Sequence, residues 1–149
     1  MIDRWKSFAP YFLSLLRIVV ALLFVEMGSA KLFAFPGAVI PGGGTVPLAS
    51  LGGVASVLEF VGGWLLLVGL FTRPAAFVLS GEMAFAYFIG HAPNGFWPVL
   101  NGGGDAIYFC FTFLYLVFAG PGAFAVDGLM GSRKVAAARE ILDGPAGRV

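Results

Sequence analysis

The chain has 149 residues, of which 59% are hydrophobic and 11% charged, and its formal net charge is +1. Soluble domains average about 45–50% apolar and about 25% charged residues, so this balance marks a membrane protein of one domain. A single cysteine, Cys110, and a single histidine, His91, exclude an intrachain disulfide, a CxxC redox pair, a zinc knuckle and a bis-histidine haem, and no basic patch suits nucleic acid.

The first apolar segment runs from Phe12 to Phe33, behind the basic stretch MIDRWK. That order, with GSA near the end, is also the layout of a signal peptide. The run is long for a signal h-region and Glu26 interrupts its end, so an uncleaved span is expected. The second segment covers Leu48 to Phe71, and the turn FTRP leads into a third from Pro74 to Gly90. The Gly/Pro-rich stretch GHAPNGFWPVLNGGG then precedes a fourth, Asp105 to Ala119. The first two reach the roughly 20 residues that a bilayer core requires, and the other two lie near the lower limit of about 17. Lipid offers no partner to an open sheet edge, so all four are expected to be helices. The fold class is therefore all-α, a membrane-embedded antiparallel four-helix bundle. The tail, 128–149, has Val135, Ala138 and Leu142 at helical spacing and is expected to be a short cytoplasmic helix.

Basic residues set the expected orientation. Arg4, Lys6 and Arg17 flank the start of the first segment, Arg73 sits in the FTRP turn, and Arg133, Lys134, Arg139 and Arg148 follow the fourth. The connections AFPGAVIPGGGTVP and GHAPNGFWPVLNGGG contain no Lys or Arg. The positive-inside rule places both termini and the short turn in the cytoplasm, with both Gly/Pro-rich connections outside. Lys31 is the exception, near the outer end of the first segment, where it snorkels or pairs with an acid.

Each segment carries one carboxylate: Glu26, Glu59, Glu82 and Asp105. Acids in hydrocarbon face a partner, the interior or a cavity, so four of them point to a shared polar site. Gly52, Ser56, Glu59 and Gly63 recur at helical spacing and form a small face for close helix contact. Asp105, Tyr108, Thr112 and Tyr115 form a second stripe, suited to an interior path or to interhelical hydrogen bonds. On an ideal helix Glu82 points well away from the face shared by Tyr87 and His91. By depth along the segments the expected cluster is Glu26, Lys31, His91 and Asp105, with Glu59 below it. Such a cluster suits proton exchange. No Glu-x-x-His spacing of a di-iron bundle occurs, and no metal is expected. Phe96 and Trp97 suit an interfacial belt or a flat ring in a pocket. Cys110 reads as packing.

The pieces EMGSAKLF, LEFVGGWLLLVGLFTR, GEMAFAYFIGHAPNGFWPVLNGGGDA and AGPG, in that order, resemble the DoxX family of small four-helix bacterial membrane proteins. The resemblance covers about Leu13 to Asp127. The family's acid after N-G-G is a Glu, and here Asp105 is shorter and one position later. The resemblance implies kinship with a subunit of a thiosulfate:quinone oxidoreductase and with membrane complexes that handle thiol and oxidative stress. It adds Glu82 and Asn101 to the candidate residues Glu26, Lys31, Glu59, His91 and Asp105. It implies an accessory redox subunit with a quinone as the ligand to consider and no covalent cofactor, and a membrane or cytoplasmic redox partner; the GG pairs of the second segment suit contacts within one chain or in a homo-oligomer. A carrier or pore for a small metabolite or protons, and a non-catalytic scaffold, are the alternatives. Without thiol pairs or cofactor motifs, the chain is not expected to catalyse redox chemistry alone.

Overall fold

A computed structural model describes residues 2–131, with side chains from Arg4 onward. All regular structure among these residues is helical. The elements are α1 (Ile2–Lys6), α2 (Ala9–Phe33), α3 (Leu51–Val68), α4 (Thr72–Ala86), a π-helical turn (Tyr87–His91), a short 3-10 turn (Ala92–Asn94), α5 (Pro98–Asn101) and α6 (Gly104–Ala119). Three helical stretches are long and apolar enough to cross a membrane: Arg4–Phe33, Leu51–Val68 and Thr72–Asn94. Gly104–Ala119 is a shorter apolar helix. The third stretch continues four residues beyond the expected end at Gly90, through the π and 3-10 turns. The expected tail helix lies largely outside the described residues, although 126–131 are helical.

Local chemistry sets the helix ends. Pro10 falls in the first turn of α2, where its missing N–H costs no hydrogen bond. The Ser50 hydroxyl caps α3 by accepting from the Gly53 N–H at 3.0 Å. Gly69, at φ 70°, closes α3 in the left-handed conformation, and the Leu70 N–H returns to the Leu65 carbonyl at 2.9 Å. A Cβ at Gly69 would also lie 2.6 Å from that of Ala125, so both space and backbone geometry call for glycine.

The most extensive pairings are α2 with α3 and α4 with α6, while α3 meets α4 less extensively. Small residues let α2 and α3 approach. A Cβ on Gly28 would sit 2.6 Å from the Phe60 nitrogen, and one on Gly63 would sit 2.9 Å from the Val25 nitrogen. The buried face of α3 is Gly53, Ser56, Glu59, Gly63 and Leu66. Gly52, expected on that face, is exposed, so the small stripe starts one residue later. Aromatic rings join the two pairs: Phe24 of α2 meets Phe113 edge-on at 4.6 Å and Phe109 at 4.9 Å. Ser80 of α4 donates to the Cys110 carbonyl at 2.9 Å, which ties α4 to α6.

The end of the molecule holding the α3–α4 turn and the residues after α6, here called the proximal end, is held by side chains bonded to main chain. Arg17, fully buried, donates to the carbonyls of Pro121 at 2.9 Å and Leu67 at 3.0 Å, and to those of Leu66 and Phe124. Leu66 and Leu67 lie in the last turn of α3, whose carbonyls have no partner within the helix. Arg73 does the same for α6, donating to Val117 at 2.6 Å and Phe118 at 3.0 Å. Asp127 accepts from the Phe71 and Thr72 N–H groups, both at 2.8 Å, and so caps α4 from a distant part of the chain. Arg17 is thus an internal staple and not only a flanking charge.

Candidate functional site

Helix geometry brings Lys31 and Glu59 together. Side chains on a helix lean toward its N-terminus. Lys31, near the end of α2, therefore leans back along the helix, and Glu59 leans toward the start of α3, which lies beside the end of α2. The Lys31 ammonium donates to Glu59 Oε1 at 2.5 Å. Glu59 is 1% exposed, and its second oxygen, Oε2, has no hydrogen-bond partner.

Glu82 completes the group from α4. Both of its carboxylate oxygens are buried and neither has a hydrogen-bond partner. Glu82 lies within electrostatic reach of Glu59 and Lys31. With all three ionised the trio carries two negative charges and one positive. It is neutral only when one proton is held between the two acids, the arrangement a low-dielectric interior favours.

Glu82 also lines a cleft of about 610 Å³ between α3 and α4, walled by apolar side chains such as Leu58, Val78 and Phe85. His91 stands at the far end of that cleft. Nine residues of regular α-helix would place His91 about 180° from Glu82. The π-helical turn removes the conflict: the Ala92 N–H reaches the Tyr87 carbonyl five residues back, and the wider turn shifts the phase of the helix. His91 Nδ1 is 3.1 Å from the Asn101 carbonyl. Asn101 is buried, donates to the Gly95 carbonyl at 2.8 Å and accepts from the Gly103 N–H at 2.8 Å. Its side chain shapes the loop behind His91 and does not enter the cleft.

The expected cluster of Glu26, Lys31, His91 and Asp105 does not form. Glu26 and Asp105 are both exposed. Tyr108 and Tyr115 point outward with Asp105, along a shallow surface depression of about 450 Å³ that Leu16, Phe111 and Thr112 complete. Their stripe is an outer face and not an interior path. Glu82 lies near the middle of its span, which runs from Thr72 to Asn94. The structure therefore joins Lys31, Glu59 and Glu82, with His91 at the rim, leaves Asn101 in the loop, and turns Glu26 and Asp105 away. Among the described residues, no three His, Cys, Asp or Glu side chains are grouped to hold a metal ion. Arg17 was missed as an interior residue, although Ser14, Arg17, Ala21, Phe24 and Gly28 follow helical spacing and share its buried face.

Comparison with known proteins agrees with this architecture. The DoxX family model matches residues 12–92, more than half of the chain. The chain belongs to the DoxX family. This DoxX protein is 50% identical over 128 residues to an uncharacterised protein of Haemophilus influenzae, a match covering 84% of this chain and 95% of that one. It is 31% identical to the inner membrane protein YphA of Escherichia coli, over 79% of this chain and 89% of YphA. An uncharacterised membrane protein of Mycobacterium tuberculosis is 28% identical over 81% of this chain and 82% of its own. No solved structure matches the DoxX chain.

Proposed function

We propose that this DoxX protein binds a small hydrophobic molecule in the α3–α4 cleft and exchanges a proton with it through Glu82 and the Lys31–Glu59 pair. In this reading the helices form an antiparallel four-helix bundle across the inner membrane, with both termini cytoplasmic. The protein serves as an accessory subunit of a membrane redox system, and a quinone is the ligand class that the family suggests. The observation that carries the reading is Glu82, a buried carboxyl without a partner at the wall of an apolar cleft. Intramembrane acids mark proton relays and binding sites because an unpaired one is otherwise disfavoured. The rings of Phe24, Phe109 and Phe113 pack against one another in the interior, which favours a side-opening binding cleft over a pore through the bundle.

Mass spectrometry of small molecules retained by gently purified protein tests the proposal. A hydrophobic molecule should accompany the wild type and be lost from Glu82→Gln and Glu59→Gln variants of unchanged melting profile. Identical small-molecule content in all three would refute it.

A further inference from the structure

Helix α6 is short for the membrane it stands in. Its 16 residues, Gly104–Ala119, span about 24 Å, against about 30 Å of hydrocarbon. Its proximal end is level with its neighbours, because Arg73 of α4 bonds its last carbonyls and the Ala123 N–H donates to the Pro10 carbonyl at 3.0 Å. The shortfall therefore falls at the opposite, distal end. There the third helical stretch runs on to Asn94, roughly 10 Å past Tyr87 at the helical rise. The chain then turns back: a Cβ on Gly103 would lie 2.7 Å from the Tyr87 ring and 2.8 Å from the His91 Cβ. Residues 92–103 thus rise above the start of α6 and descend again to reach it.

The polar groups of this loop bond inward. Asn101 Nδ2 donates to the Gly95 carbonyl and Oδ1 accepts from the Gly103 N–H, both at 2.8 Å, so one buried side chain ties the two ends together. Asn94 donates to the Gly90 carbonyl at 2.9 Å, and the Leu100 and Asn101 N–H groups return to the Trp97 carbonyl. The apolar side chains point the other way. Phe96, Trp97, Val99 and Leu100 are 62–88% exposed, and no charged side chain lies between His91 and Asp105. Contiguous exposed apolar groups of this kind mark an interaction surface. Irregular backbone persists at membrane depth only where the protein satisfies it, as Asn101 does here.

We infer that residues 92–103 form a re-entrant cap seated in the distal leaflet, with Phe96, Trp97, Val99 and Leu100 among the lipid chains. With α6 about 6 Å short, the base of the loop stands inside the hydrocarbon. Phe85, Phe88 and Ile89, exposed on the helix below, belong to the lipid-facing side of the third stretch, and the cap continues that surface. Lipid, and not a soluble partner, is therefore its neighbour. The Trp97 ring packs edge-on against Phe96 at 5.1 Å, an aromatic pair of the kind that membrane boundaries collect. Asp105, in the first turn of α6, lies where the free N–H groups of the helix start favour an anion. His91 and the start of α6 then lie below the membrane surface, and this end of the α3–α4 cleft opens to lipid and not to water. The cap stands whether or not Glu82 binds a ligand.

The full chain with Trp5→Phe and Trp64→Phe keeps Trp97 as its single tryptophan. In nanodiscs its fluorescence is measured with lipids brominated near the headgroup or near the chain end, and separately with aqueous iodide. The expected result is about twofold quenching by the shallow bromines, less by the deep ones, and about fivefold weaker quenching by iodide than for free tryptophan. Val99→Trp, with Trp97→Phe added to the same background, gives a second depth and is expected to behave alike. Either variant decides the question if the other fails to fold. Full iodide quenching with no effect of bromine would overturn the inference and leave the cap in water, above a bilayer thinned to meet α6. Protection from both quenchers would also overturn it and assign the surface to a protein neighbour such as a second copy of the chain.

Discussion

Two groups of polar side chains in this protein differ in what they bind. At the proximal end Arg17, Arg73 and Asp127 direct every named hydrogen bond at main-chain carbonyls or N–H groups. They complete the ends of α3, α4 and α6. Between α2, α3 and α4, Lys31 and Glu59 bond only each other, and three carboxylate oxygens of Glu59 and Glu82 are left open. The first group is consumed by folding. The second retains bonding capacity, which is the property a binding site requires.

The contrast breaks most visibly at Arg17. Arg17→Met strips hydrogen bonds from four carbonyls at once, and of the two in the last turn of α3 that of Leu66 keeps only the Gly69 N–H. The expected loss is about 4 kcal/mol of stability, read as a lowered midpoint of denaturation in detergent.

In the second group, Lys31→Met leaves Glu59 buried beside Glu82 without its cation. A destabilisation of about 3 kcal/mol is expected. In a Glu59→Gln background the same substitution should have a much smaller effect, because no buried charge is orphaned. A double-mutant cycle that gave additive losses would show that the pair contributes nothing through its charge.

The smallest effect is expected at Asp127. Partial burial pushes its carboxyl up, but the N–H groups of Thr72 and Phe71 and the Arg17 guanidinium outweigh burial and hold it below its ordinary 3.8. A carboxyl with a depressed folded value contributes its full stability above 3.8 and loses it as the pH falls through that lower value. Wild-type protein should therefore lose stability on acidification below 3.8. Asp127→Ala should be less stable by about 1 kcal/mol at neutral pH, as for a lost helix cap, and should lack that acid limb. Melting curves at neutral and acidic pH make the comparison.

The spans were legible because hydropathy depends on composition, which the sequence states directly. The helix contact through Gly63 and the need of Lys31 for an acid were legible as well, since small residues and a cation inside an apolar run admit few arrangements. Which acids turn inward was not. Glu26 and Glu59 sit in equally apolar runs, and only the neighbouring helix decides that one is covered and the other exposed. The separation expected between Glu82 and His91 followed from ideal α geometry, which fails at Tyr87–His91. Asp127 caps α4 across 55 residues of chain, a relation no local pattern records.

The π-helical turn has a genetic consequence. A turn of this kind behaves as a one-residue insertion absorbed without breaking the helix. Removing one residue from 88–90 would restore a regular ladder and rotate everything after it by about 100° relative to Glu82. His91 and the loop that Asn101 braces would leave the cleft together, while the Lys31–Glu59–Glu82 group stayed in place. Length variation at this point, more than substitution at either acid, is thus the simplest route by which a DoxX relative could keep the core of the site and change its mouth.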